Sequence, residues 1–389
     1  MNHSTSPNPM LDRVGIARLG RNTSLEGTST QLVHAPEMRA TRGRADAAER
    51  VESLDALRAL AVLAVVQIHV AETVLFAQSA TEPGAWFSAH VYDSFSRWCV
   101  PVFVMISGYF LLSPRQEESA GQFYRRRLAK IGWPLLFWAT LFSALALPPD
   151  ARNLEHLVTK ILSGRPWYHL WYLYMYLGLV LFVPALRSLL ARCSTAQIWA
   201  VAGTLLFGTT GICFAGSFGW IEYDICALSE TPFPFWFVGY LGYFVTGAAL
   251  RRTQLPKAPK RIALLVFLGT GALTVVGTDA LLRHTTNGGG YYFYHYLSPT
   301  ALAMALALFL IMRRGIEFFP GKIVQQMAQA SLGIYIVHPL FISAFERLGL
   351  NASILHPVVA IPMLSGLVAA ISWAAVALMS RIPCLRRVV

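Results

Sequence analysis

Long apolar segments recur through most of the chain, and they constrain its fold more than any other feature. Each is close to the roughly 17–25 residues that a helix needs to cross the hydrocarbon core of a membrane. Only 13% of the residues are charged, against roughly 25% in an ordinary soluble domain. The sequence therefore predicts an all-α, polytopic integral membrane protein with about ten transmembrane helices, near residues 54–76, 98–113, 130–147, 168–190, 196–215, 234–250, 261–282, 297–312, 330–347 and 353–380.

Lys and Arg are unevenly divided between the alternate connections of these segments. One set of connections contains eighteen basic residues and the opposite set contains six, of which Arg97 is one. Because cytoplasmic loops carry the excess of Lys and Arg, we expect both termini in the cytoplasm. The net charge of +12 lies in short blocks rather than along one stripe, which argues against a nucleic-acid partner.

Residues 1–50 differ from the rest of the chain, because they are polar and basic and cannot bury a core. We predict a disordered tail over 1–50 and a single membrane domain over 51–389. The arginines of the tail suit contact with anionic membrane lipids, although fixing the topology is the simpler role. The five cysteines show no metal-ligand spacing, so no metal site is expected. A disulfide between Cys213 and Cys226 is open but not favoured.

The first apolar segment contains ionisable residues, which are costly inside a membrane and are therefore candidates for function. Arg58 and His69 are eleven residues apart, which is about three helical turns, so both lie on one face with an axial separation of about 16 Å. Asp55 lies near the same face, and Glu72 is one turn beyond His69. This separation matches a ligand with phosphates at one end and a reactive carbon at the other, such as a coenzyme A thioester.

The roles of these residues have alternatives at this point. A neutral imidazole at His69 has the form that a general base needs, and Glu72 either orients that imidazole or faces external water. Alternatively, His69 is bonded to a backbone carbonyl and Arg58 is a topology anchor at the membrane surface. The cations Arg126, Arg127 and Lys130 suit phosphate binding, but they are equally expected as topology determinants.

Later segments add polar candidates near the opposite face. His169 and Trp171 begin the fourth segment, and Ser331, Tyr335 and His338 share one face of the ninth. These side chains either line a polar cavity or hold helices together by hydrogen bonds. Residues 216–236 and 284–296 combine aromatic with acidic or polar residues, which suits a sugar platform, although an aromatic belt at the membrane interface is favoured.

In order along the chain, these motifs resemble membrane-bound acyltransferase family 3, and within it the enterobacterial common antigen O-acetyltransferase group. The family's Arg-x-x-Arg appears here as Arg127-x-x-Lys130, which keeps a positive charge but loses the bidentate fork of an arginine. The resemblance covers residues 52–380 and is carried by 54–59 with His69, 100–109 with Ser107, 124–130 before Pro134, 169–173, and 331–335 with His338.

The resemblance implies an O-acetyltransferase of the bacterial inner membrane. It implies acyl-CoA, most commonly acetyl-CoA, as a co-substrate from the cytoplasm, no permanently bound cofactor, and a surface glycan or lipid-linked sugar as acceptor. The catalytic residues would be His69, as base or transient acyl carrier, and Arg58. The residues expected to bind acyl-CoA are Arg58, Arg126, Arg127 and Lys130, and those expected to contact the acceptor or line the cavity are Asp55, Glu72, Ser107, His169, Trp171, Tyr335 and His338.

Two other classes of function fit part of the pattern. A glycan or lipid transporter also has many helices and buried charges, although the two halves of this chain show no internal repeat of the kind that transporters often have. A non-catalytic accessory subunit of polysaccharide assembly is the third hypothesis.

Overall fold

The computed structural model describes residues 29–77, 83–113, 118–148, 153–222, 225–226, 233–253, 260–285, 288–312, 321–350 and 355–389, without the side chains of 29–51, 233 and 288. Within these residues the chain is helical and has no strand. Short 3₁₀ turns lie at Phe233–Phe235, Gly288–Tyr294 and Leu385–Arg387. The α-helices are α1 (Ser29–Leu75), α2 (Pro83–Ser94), α3 (Cys99–Leu111), α4 (Ala120–Ala146), α5 (Leu154–Leu162), α6 (Trp171–Leu181), α7 (Val183–Ala191), α8 (Thr195–Ser217), α9 (Trp236–Arg252), α10 (Lys260–His284), α11 (Pro299–Met312), α12 (Gly321–Arg347) and α13 (Pro357–Arg381).

The predicted all-α membrane fold is confirmed. Eight helical segments among the described residues are long and apolar enough to cross a membrane, and a ninth is added if α6 and α7, which meet at 47°, count as one bent span. The helix α9 has 17 residues, at the lower limit of roughly 17–25 for crossing. Each of the ten predicted apolar segments coincides with a helix or a helix pair. The cytoplasmic position of both termini stays a prediction.

The boundaries differ from the sequence analysis at two places. The second span covers Pro83–Leu111, so it begins well before residue 98 and includes Arg97. The first helix begins at Ser29, so residues 29–50 are helical although a disordered tail was expected there. Ala, Arg and Glu are frequent in this stretch and have high helix propensity, and extending a helix is easier than starting one. Residues 1–28 lie outside the described residues, and the division into tail and domain stays a prediction.

Helices α3 and α9 form the centre of the bundle. A Cβ atom at Gly108 would overlap the carbonyl group of Phe244, and one at Gly247 would overlap the carbonyl oxygen of Met105. Only glycine therefore permits the two backbones to come this close, as is typical of helix packing in membranes. This contact fixes α3, which carries Ser107, in the interior of the protein.

A disulfide joins Cys213 of α8 to Cys226, contrary to the favoured expectation. The chain leaves α8 after Ser217 and returns to it at Ile225, which brings the two cysteines together. The sequence separation of 13 residues gave no indication of this return. Disulfides persist in oxidising compartments, so the pair agrees with the predicted external position of this loop.

Candidate active site

Two cavities lie along the residues that the sequence analysis selected, and we name them for the predicted orientation of the chain. The inner cavity has a volume of about 420 Å³ and is bounded by α1, α3, α4, α6 and α12. Its charged lining consists of three cations, Arg58, Arg127 and Lys130, and its other polar lining includes Ser107 and Tyr335. Five of the predicted site residues thus share one cavity.

The cations of the inner cavity are differently restrained. Arg58 pairs with Asp55, the two charged groups being 3.1 Å apart, and its guanidinium lies 5.8 Å from the ring centre of Phe110. This ion pair explains the position of Asp55 beside the same face of α1. Arg127 is half-buried and Lys130 is exposed, so both side chains are accessible to a ligand in the cavity.

Arg126 is placed elsewhere. Its side chain is 68% exposed and pairs with Glu118 at 3.3 Å, and it is absent from the lining of the inner cavity. Arg126 lies within about 40° of Lys130 on α4, but it is one turn earlier on the helix and pairs with Glu118, which precedes α4. The structure therefore separates Arg126 from the other predicted phosphate ligands.

Three histidines from three parts of the chain meet near the middle of the bundle. The ring of His69 lies 5.3 Å from that of His338, nearly parallel to it. The ring of His169 is 5.5 Å from His338, and the ring of Tyr168 is 4.9 Å from His69. His69 is the member with an acidic partner, because its Nδ1 lies 2.8 Å from Oε2 of Glu72. Of the two roles left open for Glu72, its contact supports orientation of the imidazole.

The other two histidines are bonded to the backbone of α12. The Nδ1 atom of His338 donates to the carbonyl oxygen of Ile334 and Nε2 of His169 donates to that of Ile336, each at 3.2 Å. The hydroxyl of Tyr335 in turn donates to the carbonyl oxygen of His169. The bonds of His169 and Tyr335 hold α12 against the start of α6, so these two residues have a packing role, whereas the bond of His338 lies within α12. Ser331 donates to Ala328 within the same helix.

The outer cavity has a volume of about 240 Å³ and an aromatic wall. Trp171 stacks on Tyr296, with 5.9 Å between the ring centres, and the charged groups at the cavity are Glu72 and Arg97. Four residues of the expected belt or platform over 284–296 therefore line a concave site, namely Tyr291, Tyr294, His295 and Tyr296. Within the other expected platform, Tyr223, Asp224 and Glu230 lie outside the described residues. The remaining lining includes Phe76, Ile225, Cys226 and Tyr240.

The two cavities approach each other at α1 and at the start of α6. Along α1, Arg58 and Val65 line the inner cavity and Glu72 lines the outer one. The neighbouring residues Trp171 and Tyr172 likewise line the outer and the inner cavity. His69 lies on α1 between these two levels, and its side chain is 13% exposed. The arrangement suits a reaction between two ligands that arrive from opposite directions.

The sequence analysis missed two functional candidates, Asp93 and Arg97. They form an ion pair whose side chains are 0% and 8% exposed, and Arg97 also lies 3.6 Å from Glu72. Arg97 had been counted among the loop residues. A signal was present in the sequence, because residues 98–113 are too few to cross a membrane comfortably. Extending that segment backwards places both charges inside it.

Comparison with known proteins gives one family and one distant relative. A family profile described as an acyltransferase domain matches residues 51–377. An amino-acid racemase from Enterococcus faecalis is 26% identical over 265 residues, which cover 63% of this chain and 35% of that protein. The chain thus spans about a third of the length of this relative, and the similarity does not carry the racemase activity to it. No solved structure matches the chain.

Proposed function

The chain belongs to acyltransferase family 3, and from that premise we propose that it is an O-acetyltransferase of the bacterial inner membrane. The donor is acyl-CoA, with acetyl-CoA as the first choice. The acceptor is a sugar hydroxyl of a cell-surface polysaccharide or of its lipid-linked precursor, as in the enterobacterial common antigen group. The observation that carries the proposal is the His69–Glu72 pair between a cation-lined cavity and an aromatic one.

The inner cavity suits the donor. Arg58, Arg127 and Lys130 supply positive charge for the phosphates of coenzyme A, and charge-assisted hydrogen bonds to phosphate are stronger than neutral ones. Arg58 is about 16 Å along the helix axis from His69, at 1.5 Å per residue. The pantetheine arm is long enough to connect these two levels, which would place the thioester carbon near the imidazole.

The outer cavity suits the acceptor. Sugars present apolar faces and hydroxyl groups, and aromatic side chains combine a large apolar surface with specific geometry. Trp171, Tyr240 and Tyr296 provide such faces in one cavity, and Glu72 provides an acceptor for a hydroxyl. Glu72 lines this cavity and its carboxylate contacts the imidazole of His69, so a sugar bound here would lie next to the His69–Glu72 pair.

The chemistry assigned to His69 is general base catalysis. The imidazole takes the proton of the sugar hydroxyl through Nε2, because Nδ1 faces Glu72. The sugar oxygen then bonds to the carbonyl carbon of the thioester, the carbon–sulfur bond breaks, and the proton passes to the sulfur to give free coenzyme A. Glu72 stabilises the imidazolium that forms, as a carboxylate does beside a catalytic histidine. A transient acyl group on His69 gives the same net reaction, and labelled acetyl on the isolated protein distinguishes the two routes.

The test uses the purified full-length protein with acetyl-CoA and de-O-acylated surface polysaccharide of the source bacterium. We expect the wild type to release free coenzyme A and to acetylate the polysaccharide. The His69→Gln variant should lose both activities, and the exposed His284→Gln variant should retain both. Acetylation by His69→Gln at the wild-type rate would remove His69 from the mechanism. A wild type that leaves acetyl-CoA intact but moves glycan across vesicles would instead identify a transporter.

A further inference from the structure

A buried ion pair lies next to the His69–Glu72 pair, and the proposed chemistry does not use it. The Nε atom of Arg97 donates to Oδ2 of Asp93 at 2.8 Å, and Nη2 of Arg97 contacts the same oxygen. Both residues belong to the span Pro83–Leu111, where Arg97 occupies the turn between α2 and α3. Buried charges in a membrane are costly and are retained at functional positions, and replacing such a pair with apolar residues is often neutral for stability.

The geometry of Glu72 connects the two pairs. One carboxylate oxygen, Oε2, lies 2.8 Å from Nδ1 of His69, and the other, Oε1, lies 3.6 Å from Nη2 of Arg97. Each oxygen therefore has its own partner, on opposite sides of the carboxylate. A carboxylate held in this way has one orientation toward the imidazole.

Arg97 is itself restrained on two further sides. Asp93 holds one edge of the guanidinium, and the ring of Tyr294 covers its face, with Cζ 4.3 Å from the ring centre. The turn that carries Arg97 is fixed against α1, because Nε2 of Gln67 donates to Oγ of Ser96 at 2.9 Å. Gln67 is two residues from His69 on the same helix. The position of Arg97 relative to the imidazole is thus set by hydrogen bonds rather than by apolar packing alone.

We propose that Arg97, anchored by Asp93, is a positioning residue that fixes Glu72 and thereby the tautomer of His69. The inference rests on the proposed acyl transfer and deepens it. With Glu72 fixed, Nδ1 of His69 carries the proton and Nε2 presents its lone pair to the sugar hydroxyl. Without the guanidinium, the carboxylates of Glu72 and Asp93 repel each other, and Glu72 turns toward water in the outer cavity. The imidazole then adopts both tautomers, and either of its two nitrogens can face the sugar hydroxyl.

The first measurement is steady-state kinetics of Arg97→Gln and Arg97→Lys with acetyl-CoA and the de-O-acylated polysaccharide. Loss of the partner that orients a metal-bound histidine typically costs about 10–100-fold in activity, and we expect Arg97→Gln to lower kcat by a similar factor. The KM for acetyl-CoA should stay within about twofold, because Arg97 does not line the inner cavity. Arg97→Lys keeps the charge between the carboxylates and should restore most of the lost kcat. Equal losses in the two variants would contradict the proposal.

The matched control is Arg283→Gln. Arg283 pairs with Asp279 four residues earlier at 2.9 Å, which repeats the Asp93–Arg97 spacing on an exposed surface. Exposed pairs contribute little because water screens them, so this variant should show wild-type kinetics and yield. A loss in Arg283→Gln as large as in Arg97→Gln would show that the effect is not specific to the site.

The second measurement does not depend on catalysis. In protein labelled with ¹⁵N-histidine, the resonances of His69 are assigned by their loss in His69→Gln. We expect the Nδ1–H tautomer in the wild type and a mixture of tautomers in Arg97→Gln. An unchanged tautomer in Arg97→Gln would overturn the positioning role, even if the enzyme is active. Conversely, a wild type with this tautomer but without acetyl transfer would overturn the proposed function and leave the positioning role supported.

Discussion

The two cavities differ in how far their charged side chains are paired with opposite charges. The inner cavity presents cations that are only partly compensated, since Arg58 has Asp55 as a partner and is 27% exposed, while Arg127 and Lys130 line the same cavity. In the outer cavity, Arg97 is 8% exposed and is enclosed by Asp93, Glu72 and the ring of Tyr294. Partly compensated cations suit a polyphosphate, whereas a compensated network among aromatic rings suits an uncharged polyol. Under the proposed function, this difference would let one helix, α1, serve two chemically unlike ligands.

The largest expected effect comes from removing the guanidinium of Arg58. The change Arg58→Gln leaves Asp55 beside the inner cavity without its partner, so the cavity loses a cation and gains a free anion. Charged hydrogen bonds contribute roughly 1.5–3 kcal/mol, so kcat/KM for acetyl-CoA should fall about 100-fold. The double variant Arg58→Gln with Asp55→Asn should recover part of this loss. Binding of desulfo-CoA to both variants measures the effect, and unchanged binding would assign Arg58 to another step.

The next largest effect concerns the outer cavity alone and therefore tests whether the two cavities bind different substrates. Trp171→Ala removes the ring that stacks on Tyr296 in the outer cavity, and aromatic pairs contribute about 0.5–1.5 kcal/mol beyond their buried area. We expect KM for the polysaccharide to rise about tenfold, with KM for acetyl-CoA unchanged. A rise in KM for acetyl-CoA instead would mean that the donor reaches the outer cavity.

A smaller effect distinguishes two cations of α4 that are one helical turn apart, Lys130 and Arg126. Lys130→Gln should raise KM for acetyl-CoA about three- to tenfold, because Lys130 lines the inner cavity and charge-assisted bonds are strong. Arg126→Gln is the matched control, because Arg126 is exposed and faces Glu118, and it should change KM less than twofold. Kinetics at two salt concentrations test the pair. Equal increases in KM for acetyl-CoA in the two variants would indicate a general attraction of the anionic donor to the basic surface and not a specific phosphate site at Lys130.

The smallest effect concerns the disulfide. Ile225 and Cys226 line the outer cavity, and the bond from Cys226 to Cys213 ties this wall to α8. Cys213→Ser should therefore raise KM for the polysaccharide about two- to fivefold, since a loosened wall binds less tightly. Mild reduction of the wild type should reproduce the change, and Cys384→Ser, at an exposed free cysteine, is the control. An increase in KM for acetyl-CoA would show that the loop acts on the whole bundle.

Periodicity predicted the parts of the site that lie on one helix. Arg58, His69 and Glu72 follow from the geometry of α1, because a helix fixes the relative directions of its own side chains. Two roles were considered for Glu72, orienting the imidazole of His69 or facing external water. The contact between the two side chains favours the first role. Binding of acyl-CoA by Arg126 stays a prediction, and its absence from the inner cavity did not follow from periodicity, because Lys130 lies on nearly the same face of α4 and does line that cavity.

Contacts between distant segments were beyond the reach of the sequence. The approach of His169 and His338 to His69 depends on the packing of α6 and α12 against α1, and the approach of Arg97 to Glu72 depends on the break between α2 and α3. The disulfide depends on a loop that returns to its own helix. None of these has a local pattern, since each is set by how several helices pack at once.

By itself the sequence determined the class of the protein, because a membrane requires long apolar helices that satisfy their own backbone hydrogen bonds. It also identified the charges inside those helices as candidates for function, because a membrane makes them costly. Only the tertiary structure decided which charges compensate one another. Pairing requires atoms within a few ångströms, and that distance is set by helix packing rather than by position along the chain.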